Sequence, residues 1–467
     1  MSRLPIPLHS YSLRSKPASS AHLLNCFVEK LPDGARSPYA LVRAPGIGSW
    51  TTVGTGPISA QHVGLGYLWV ISGSKLYRVD TNRTATLIGD VGAPGRIDID
   101  NNISTVVVVN QPNAFYYDTT TSTFAQITDA DFTARGASDV EFLDNYILFL
   151  EPDSGRMFWA DVGTATSINS LSYITAEGSP DKLVGMKVDH RQVLLFGELT
   201  CELWETIGGS AVFARAANGF IEQGCGNGRT AAKNDNSVFW LGQDYTVRRL
   251  DGTTPTRVSQ AGIEQALGNV TIASGRAWSY SQEGHLFYVL SFPEGTFIYD
   301  ATTKEWHERG TYGYPYWLAW SHAQFAGKEL VGDIQSNRIG YLSPEIYSDW
   351  DSIQRMEWTY QSVYAEGNLA FHDRLEIGME TGTGLVLGQG SDPEIMMYVS
   401  DDGGINFEAL PNQKIGQIGQ TNTPVNWPQL GSSYQRVYRG AISDPVKVVI
   451  TDTQLYARGA RPFTKAA

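Results

Sequence analysis

Cysteine is scarce in this chain. There are three, Cys26, Cys201 and Cys225, an odd number without metal-ligand spacing. A disulfide framework is therefore not expected, and a reducing cytosol is the default compartment for assembly. Charge is sparse as well: charged residues make up 18% of the chain, so much of the surface is uncharged and polar. Such a surface suits a subunit that sits among other subunits. No stretch of apolar residues is long enough for a helical membrane anchor. The opening MSRLPIPLHSYSLRSK lacks the apolar centre of a secretory leader, so secretion is not expected. The eight histidines show no His-Glu-x-x-His pattern and no pairing with cysteine, which argues against zinc. No Gly-x-Ser-x-Gly is present. Gly224-Cys-Gly226-Asn-Gly228 is not followed by the Lys-Ser/Thr helix of a phosphate loop and reads as an inter-repeat loop. Asp98-Ile-Asp100-Asn-Asn102 lacks the glycine and distal glutamate of a calcium loop and reads as polar turn residues. No metal, cofactor or catalytic residue is expected.

Turn formers and aromatics are plentiful: 48 glycines, and 11% Phe, Trp and Tyr. The stretch 62–80 shows how they are used. Tyr67, Trp69 and Ile71 alternate with Leu68, Val70 and Ser72. Gly73-Ser74 turns the chain, and Lys75 to Asp80 runs back, half apolar and half charged. This is a hairpin by alternation and turn chemistry. Equivalent hairpins recur with return strands centred on Tyr77, Tyr117, Trp159, Trp204, Arg248, Ile298 and Tyr341, spaced 40 to 50 residues apart. Four of the return strands end in Asp80, Asp118, Asp251 or Asp300, where a carboxylate can cap the next tight turn. A period of this length with about four short strands per unit is the signature of a propeller. The fold class expected is all-β: a β-propeller of seven blades, with six as the alternative count, and a C-terminal antiparallel β-sandwich. Residues 1–54 read as an extended arm with ring-closing strands, 55–345 as the propeller and 346–467 as the sandwich or jelly-roll-like domain. One of the early strands is expected to complete the last blade, with contact to a neighbouring chain as the alternative.

The net charge of −13 is unevenly placed. Residues 1–50 hold six basic and two acidic residues, a surplus of +4, so the remaining 417 carry −17. An acidic body does not grip phosphates.

Asn25-x-Phe-Val-Glu29, followed by Leu41-Val-Arg43-Ala-Pro45-Gly46-Ile47 and then the repeats, resembles the packaged-DNA-stabilisation, tail nozzle or tail hub, proteins of short-tailed phages. Gly56-Pro-Ile-Ser stands where that family has Arg-Gly. The resemblance implies a non-enzymatic virion protein of the tail, assembled in the host cytoplasm. It implies a homo-hexameric ring below the head-to-tail adaptor, with fibre or spike and needle or plug proteins as further partners. Double-stranded DNA would pass through the lumen without specific binding, retained and then released. Arg3, Arg14 and Lys16 in the basic arm are the candidate assembly contacts.

Ser400-Asp-Asp402-Gly-Gly404-Ile-Asn406-Phe407 fits the Asp-box hairpin found in sugar-handling propellers. A single copy outside the ring reads as a well-made turn. The alternative function is a carbohydrate-binding or carbohydrate-cleaving propeller for host-surface recognition. Cleavage would need a carboxylate pair or an arginine cluster converging at the ring axis. Arg248-Arg249 cannot supply one, since adjacent strand residues face opposite ways.

Overall fold

The computed structural model describes residues 2–16, 19–35, 37–209, 211–364 and 367–459. It is 53% strand and 4% helix. Six consecutive four-stranded antiparallel meanders begin at Ile58–Gly64, Ile97–Asn101, Asp139–Leu143, Leu183–Asp189, Ala232–Asn234 and Arg276–Gln282. These are blades one to six. Blade seven has only three strands in sequence, Ala319–Phe325, Lys328–Asp333 and Arg338–Ser343. Its fourth is Gly46–Thr52, which pairs antiparallel with Arg338–Ser343. The count is therefore seven, and the ring is clasped by a strand from the beginning of the chain.

The second strand of each blade is packed between two neighbouring blades, so both of its faces need apolar residues. Thr105–Asn110, Ser237–Leu241 and Tyr146–Leu150 are accordingly buried along nearly their whole length, whereas outer strands such as Ala85–Asp90 are largely exposed. The Asp at the end of a return strand caps its turn in three blades. Asp80 accepts from the Thr84 amide, Asp118 from Thr120 and Asp300 from Thr302. Asp251 instead pairs with Arg249.

Two short helices, Ala130–Arg135 and Ala261–Leu267, bridge blades two to three and five to six. Asp129 caps the first by accepting from the amides of Asp131 and Phe132, and Phe132 is buried.

The sandwich draws strands from both ends of the chain. One sheet runs Ser20–Leu24, Met356–Thr359, Gln435–Ile442, Glu394–Ser400 and Glu408–Ala409. It joins the outer edge of blade six through Leu24 and Glu308. The facing sheet runs Cys26–Lys30, Tyr39–Arg43, Val449–Gly459, Ala370–Met379 and Val425–Pro428. Between them lie Leu23, Trp358, Tyr360, Met397, Trp427 and Tyr438. The segment read from sequence as an extended arm packs on the body. Ser2–Arg3 pairs with Val449–Gly459, Leu4 and Ile6 enter the sandwich core, and the Ser10 amide donates to Trp306.

Candidate functional site

Two places concentrate buried polar chemistry: the junction between ring and sandwich, and the axis of the ring. At the junction, Arg43 ends the strand Tyr39–Arg43 with its side chain 2% exposed. Its Nε donates to Gln354 Oε1 at 3.2 Å. Nη1 donates to the carbonyls of Val446, at 3.1 Å, and Asp444. Nη2 donates to those of Tyr347, at 3.4 Å, and Gln354. One planar fork thus ties the connector after blade seven to the sandwich loop 443–448. Burial pulls its pKa down to about 10, against the opposing pull of Asp349. The Pro45 carbonyl accepts from Arg309 Nη2 at 2.8 Å and Gln354 Nε2 at 3.0 Å. Gly46 has no room for a side chain: a Cβ would lie 2.4 Å from the Ser348 carbonyl oxygen. Asn25, at φ 54°, donates through Nδ2 to the carbonyls of Gly310 and Arg355 and accepts from the Gly310 amide. Burial raises Asp349 to about 6, against Arg309 and Arg43. Asn25, Arg43, Pro45 and Gly46 therefore converge on one joint. Glu29 lies apart, exposed and opposite Ala40.

The Asp-box residues form a separate, peripheral turn. Asp402 Oδ1 accepts from the Ser400 hydroxyl and the Ile405 amide, and Asp402 also takes the Asn406 amide and side chain. The Gly404 amide donates to Ser400 Oγ. These bonds, led by that of Ser400, hold the Asp402 carboxyl well below its ordinary range. Phe407 lies under the Arg439 guanidinium, 3.7 Å from its ring centroid. Arg14 and Lys16 are exposed. Arg3 lies on the strand paired with Val449–Gly459.

The axis was not foreseen from sequence. Asp98 and Asp100 sit on the innermost strand of blade two, not in a turn. Asp139 and Glu141 face them from blade three, Lys187 from blade four, Arg229 from the loop before blade five and Arg276 from blade six. These groups stitch the blades together. Asp100 accepts from the Phe142 amide at 2.7 Å, Asp139 from Met186 at 3.0 Å and Glu141 from Val188 at 3.3 Å. Lys187 is paired with Glu141. Arg96 donates to the Val184 carbonyl and lies 3.7 Å from Asp139. Burial and then Asp98 push Asp139 well above the carboxylate range. Burial acts on Asp98 too, yet its contact with Asp139 and the charges of Lys187 and Arg276 hold it below that range. Burial raises Glu141 to about 7. Arg248 and Arg249 take no part, being paired with Asp244 and with Asp235 and Asp251. Among the described residues no cluster has a metal-binding set of ligands. Nor is any helix long and apolar enough to cross a membrane.

Two family models match the chain. One, described as bacteriophage P22 Gp10, beta-propeller, covers residues 24–347. The other, bacteriophage P22 Gp10, beta-sandwich, covers residues 355–458. The chain belongs to this family. It is thus a phage structural protein of the packaged-DNA-stabilisation or tail nozzle group, a component of the tail. The joint of Asn25, Arg43, Pro45 and Gly46 falls where the two matched regions meet in space. No curated protein sequence matches the chain. Among solved structures, the Neurospora crassa Pan2 WD40 domain is 12% identical, with 62% of this chain and 90% of that one covered and a TM-score of 0.43. The extracellular domain of the putative one component system BT4673 from B. thetaiotaomicron is 9% identical, with 87% and 59% covered and a TM-score of 0.44. PorZ of Porphyromonas gingivalis is 11% identical, with 71% and 44% covered and a TM-score of 0.40. Nothing is carried over from these three.

Proposed function

We propose that the chain is the tail nozzle of a short-tailed phage. Six copies form a ring below the head-to-tail adaptor, and the lumen between copies continues the DNA conduit. Needle or plug proteins close it, fibres or spikes attach around it, and no bond is made or broken. Assembly takes place in the host cytoplasm. The observation that carries this reading is the match of both the propeller and the sandwich models, in order, along one chain.

Two features of the molecule support it. The propeller axis is occupied by charged side chains around a cavity of about 280 Å³. No duplex can thread a single subunit, so a conduit requires several copies side by side. The body of the chain carries −17 outside its first 50 residues, which favours a wall that repels DNA and lets it slide. The test is to add purified chain to DNA-filled heads bearing the adaptor, then image the tails and measure nuclease-sensitive DNA. The expected result is a sixfold ring on the adaptor and reduced leakage of the genome. Absence of the ring, or unchanged leakage, overturns the proposal. A lumen lined by Lys and Arg would overturn the sliding wall alone.

A further inference from the structure

Arg229 reaches the propeller axis from the loop before blade five without an ion pair among the described residues. Asn227 fixes that loop: its Nδ2 donates to the carbonyls of Ile272 and Gly275, and its Oδ1 accepts from the Arg229 amide. Gly228 is pressed against blade four, where an added Cβ would lie 2.3 Å from the Gly185 Cα. The Arg229 backbone is therefore held, and its side chain lines the axial cavity. Among the described residues its guanidinium makes no hydrogen bond and no ion pair. Arg276 lines the same cavity and donates to the Ser59 carbonyl at 2.5 Å. Burial and then the charges of Arg276 and Arg96 lower the pKa of Arg229 to about 9.

Asp98 and Asp139 act on these arginines through space, but none of the nearby acids forms an ion pair with Arg229. Glu141 is engaged by Lys187, and Asp100 by the Phe142 amide. Asp98 accepts from the Ile99 amide and Asp139 from that of Met186. Arg229 is half-buried and its guanidinium has no partner, so its donors are free to take an anion from the cavity. Two guanidinium forks facing one space present planar pairs of donors, the geometry that fits oxygen pairs rather than a halide. The cavity of about 280 Å³ has room for a small tetrahedral anion with water around it, given that a water takes ~30 Å³.

We propose that the propeller axis binds one small multivalent oxyanion of the phosphate class, held between the guanidinium groups of Arg229 and Arg276. Bound there, the anion draws blades five and six together and stiffens the ring from within. This does not depend on the nozzle reading, because it concerns the single folded chain.

The test uses the full chain, with inorganic phosphate, sulfate and chloride at equal ionic strength, in titration calorimetry and thermal scans. Phosphate and sulfate are expected to bind one per chain and to raise Tm by about 1–3 °C, with chloride inert. Arg229→Gln is expected to keep or raise the phosphate-free Tm, because it removes an unpaired charge, and to weaken phosphate binding at least ~10-fold. Arg276→Lys keeps the charge but loses the fork, and should weaken binding as well; it carries the test if Arg229→Gln does not fold. Equal responses to phosphate and chloride overturn the proposal. So does unaltered binding in both variants, or an Arg229→Gln chain that is folded but several degrees less stable without phosphate.

Discussion

Replacing Arg43 with methionine tests whether the joint holds ring and sandwich together. Methionine keeps much of the aliphatic stem and removes the fork. Five hydrogen bonds are lost, four of them to backbone carbonyls of Tyr347, Gln354, Asp444 and Val446. Hydrogen bonds to a charged group contribute about 1.5–3 kcal/mol each in isolation. Their sum overstates the effect, because Arg43 also loses its cost of desolvation and water can reach some of the freed carbonyls. Breaking a buried charged network from one side costs about 3–5 kcal/mol, and that is the loss expected for Arg43→Met. Arg43→Lys keeps the charge but cannot serve both the connector and the loop 443–448, so it should fall between wild type and Arg43→Met. The assay is urea unfolding followed by tryptophan fluorescence, with calorimetry to ask whether the thermal transition splits in two. The sandwich core holds Trp358 and Trp427 and the ring holds Trp69 and Trp240, so fluorescence reports both parts. A loss under about 1 kcal/mol for Arg43→Met would refute the reasoning, as would a lysine variant indistinguishable from wild type.

Four further expectations are open to test. Gly46→Ala forces its methyl against the Ser348 and Ile346 carbonyls and should cost about 2–3 kcal/mol; an unchanged urea midpoint would show that the approach is not tight. Burial and then Arg309 hold the pKa of His307 at about 3, so below its ordinary 6.5 the unfolded chain takes up a proton that the folded one refuses. Its share of stability is complete above that ordinary value and falls as pH drops, so His307→Leu should flatten the acid limb by up to about 1.4 kcal/mol per pH unit, and parallel limbs would contradict this. Asp402→Asn should speed amide exchange at Ile405 and Asn406, the two amides its carboxylate accepts from; unchanged exchange would mean the turn holds without it. Reversing Arg14 and Lys16 together to glutamate should leave Tm unaltered, since both are exposed, and should abolish docking on the adaptor; normal docking would remove them from the contact.

The blades were readable because each repeats the same local solution. An apolar central strand, a tight turn and a half-polar return strand mark their own boundaries, as at Thr105–Asn110 and Asn113–Asp118. The resemblance marked Arg43-Ala-Pro45-Gly46 only as a family-like turn, and nothing local in it reveals carbonyl partners three to four hundred residues away. The axial cluster escaped notice because its members come one or two at a time from separate blades. Arg96, Arg229 and Arg276 become neighbours only when the ring closes, whereas the adjacent pair Arg248 and Arg249 drew notice and proved to lie on the third strand of blade five, in ion pairs with Asp244, Asp235 and Asp251. Asp98 and Asp100 looked like turn residues because Asp98-Ile-Asp100-Asn-Asn102 mimics half a calcium loop, yet their alternation with Ile97 and Ile99 is that of a strand whose polar face is turned to the axis. The helices at 130–135 and 261–267 are too short for periodicity to reveal, although Asp129 and Phe132 supply a cap and an anchor. The opening segment looked extended because its serines and prolines break every pattern, while Leu4 and Ile6 are buried by residues from the other end of the chain.

The clasp sets an order on synthesis. Gly46–Thr52 leaves the ribosome early, yet its partner Arg338–Ser343 follows some 286 residues later, from Thr52 to Arg338. At about 5–20 residues per second that is a wait of roughly 15–60 s. The sandwich waits longer, since Tyr39–Arg43 needs Val449–Gly459. Throughout that interval two apolar strands remain without their final neighbours, and the nascent chain depends on its sparse apolar exposure, or on chaperones, to avoid mispairing. The ring cannot close before Arg338–Ser343 is made and the sandwich not before Val449–Gly459, so a product truncated ahead of both has neither a complete wheel nor a complete sandwich to offer a growing tail.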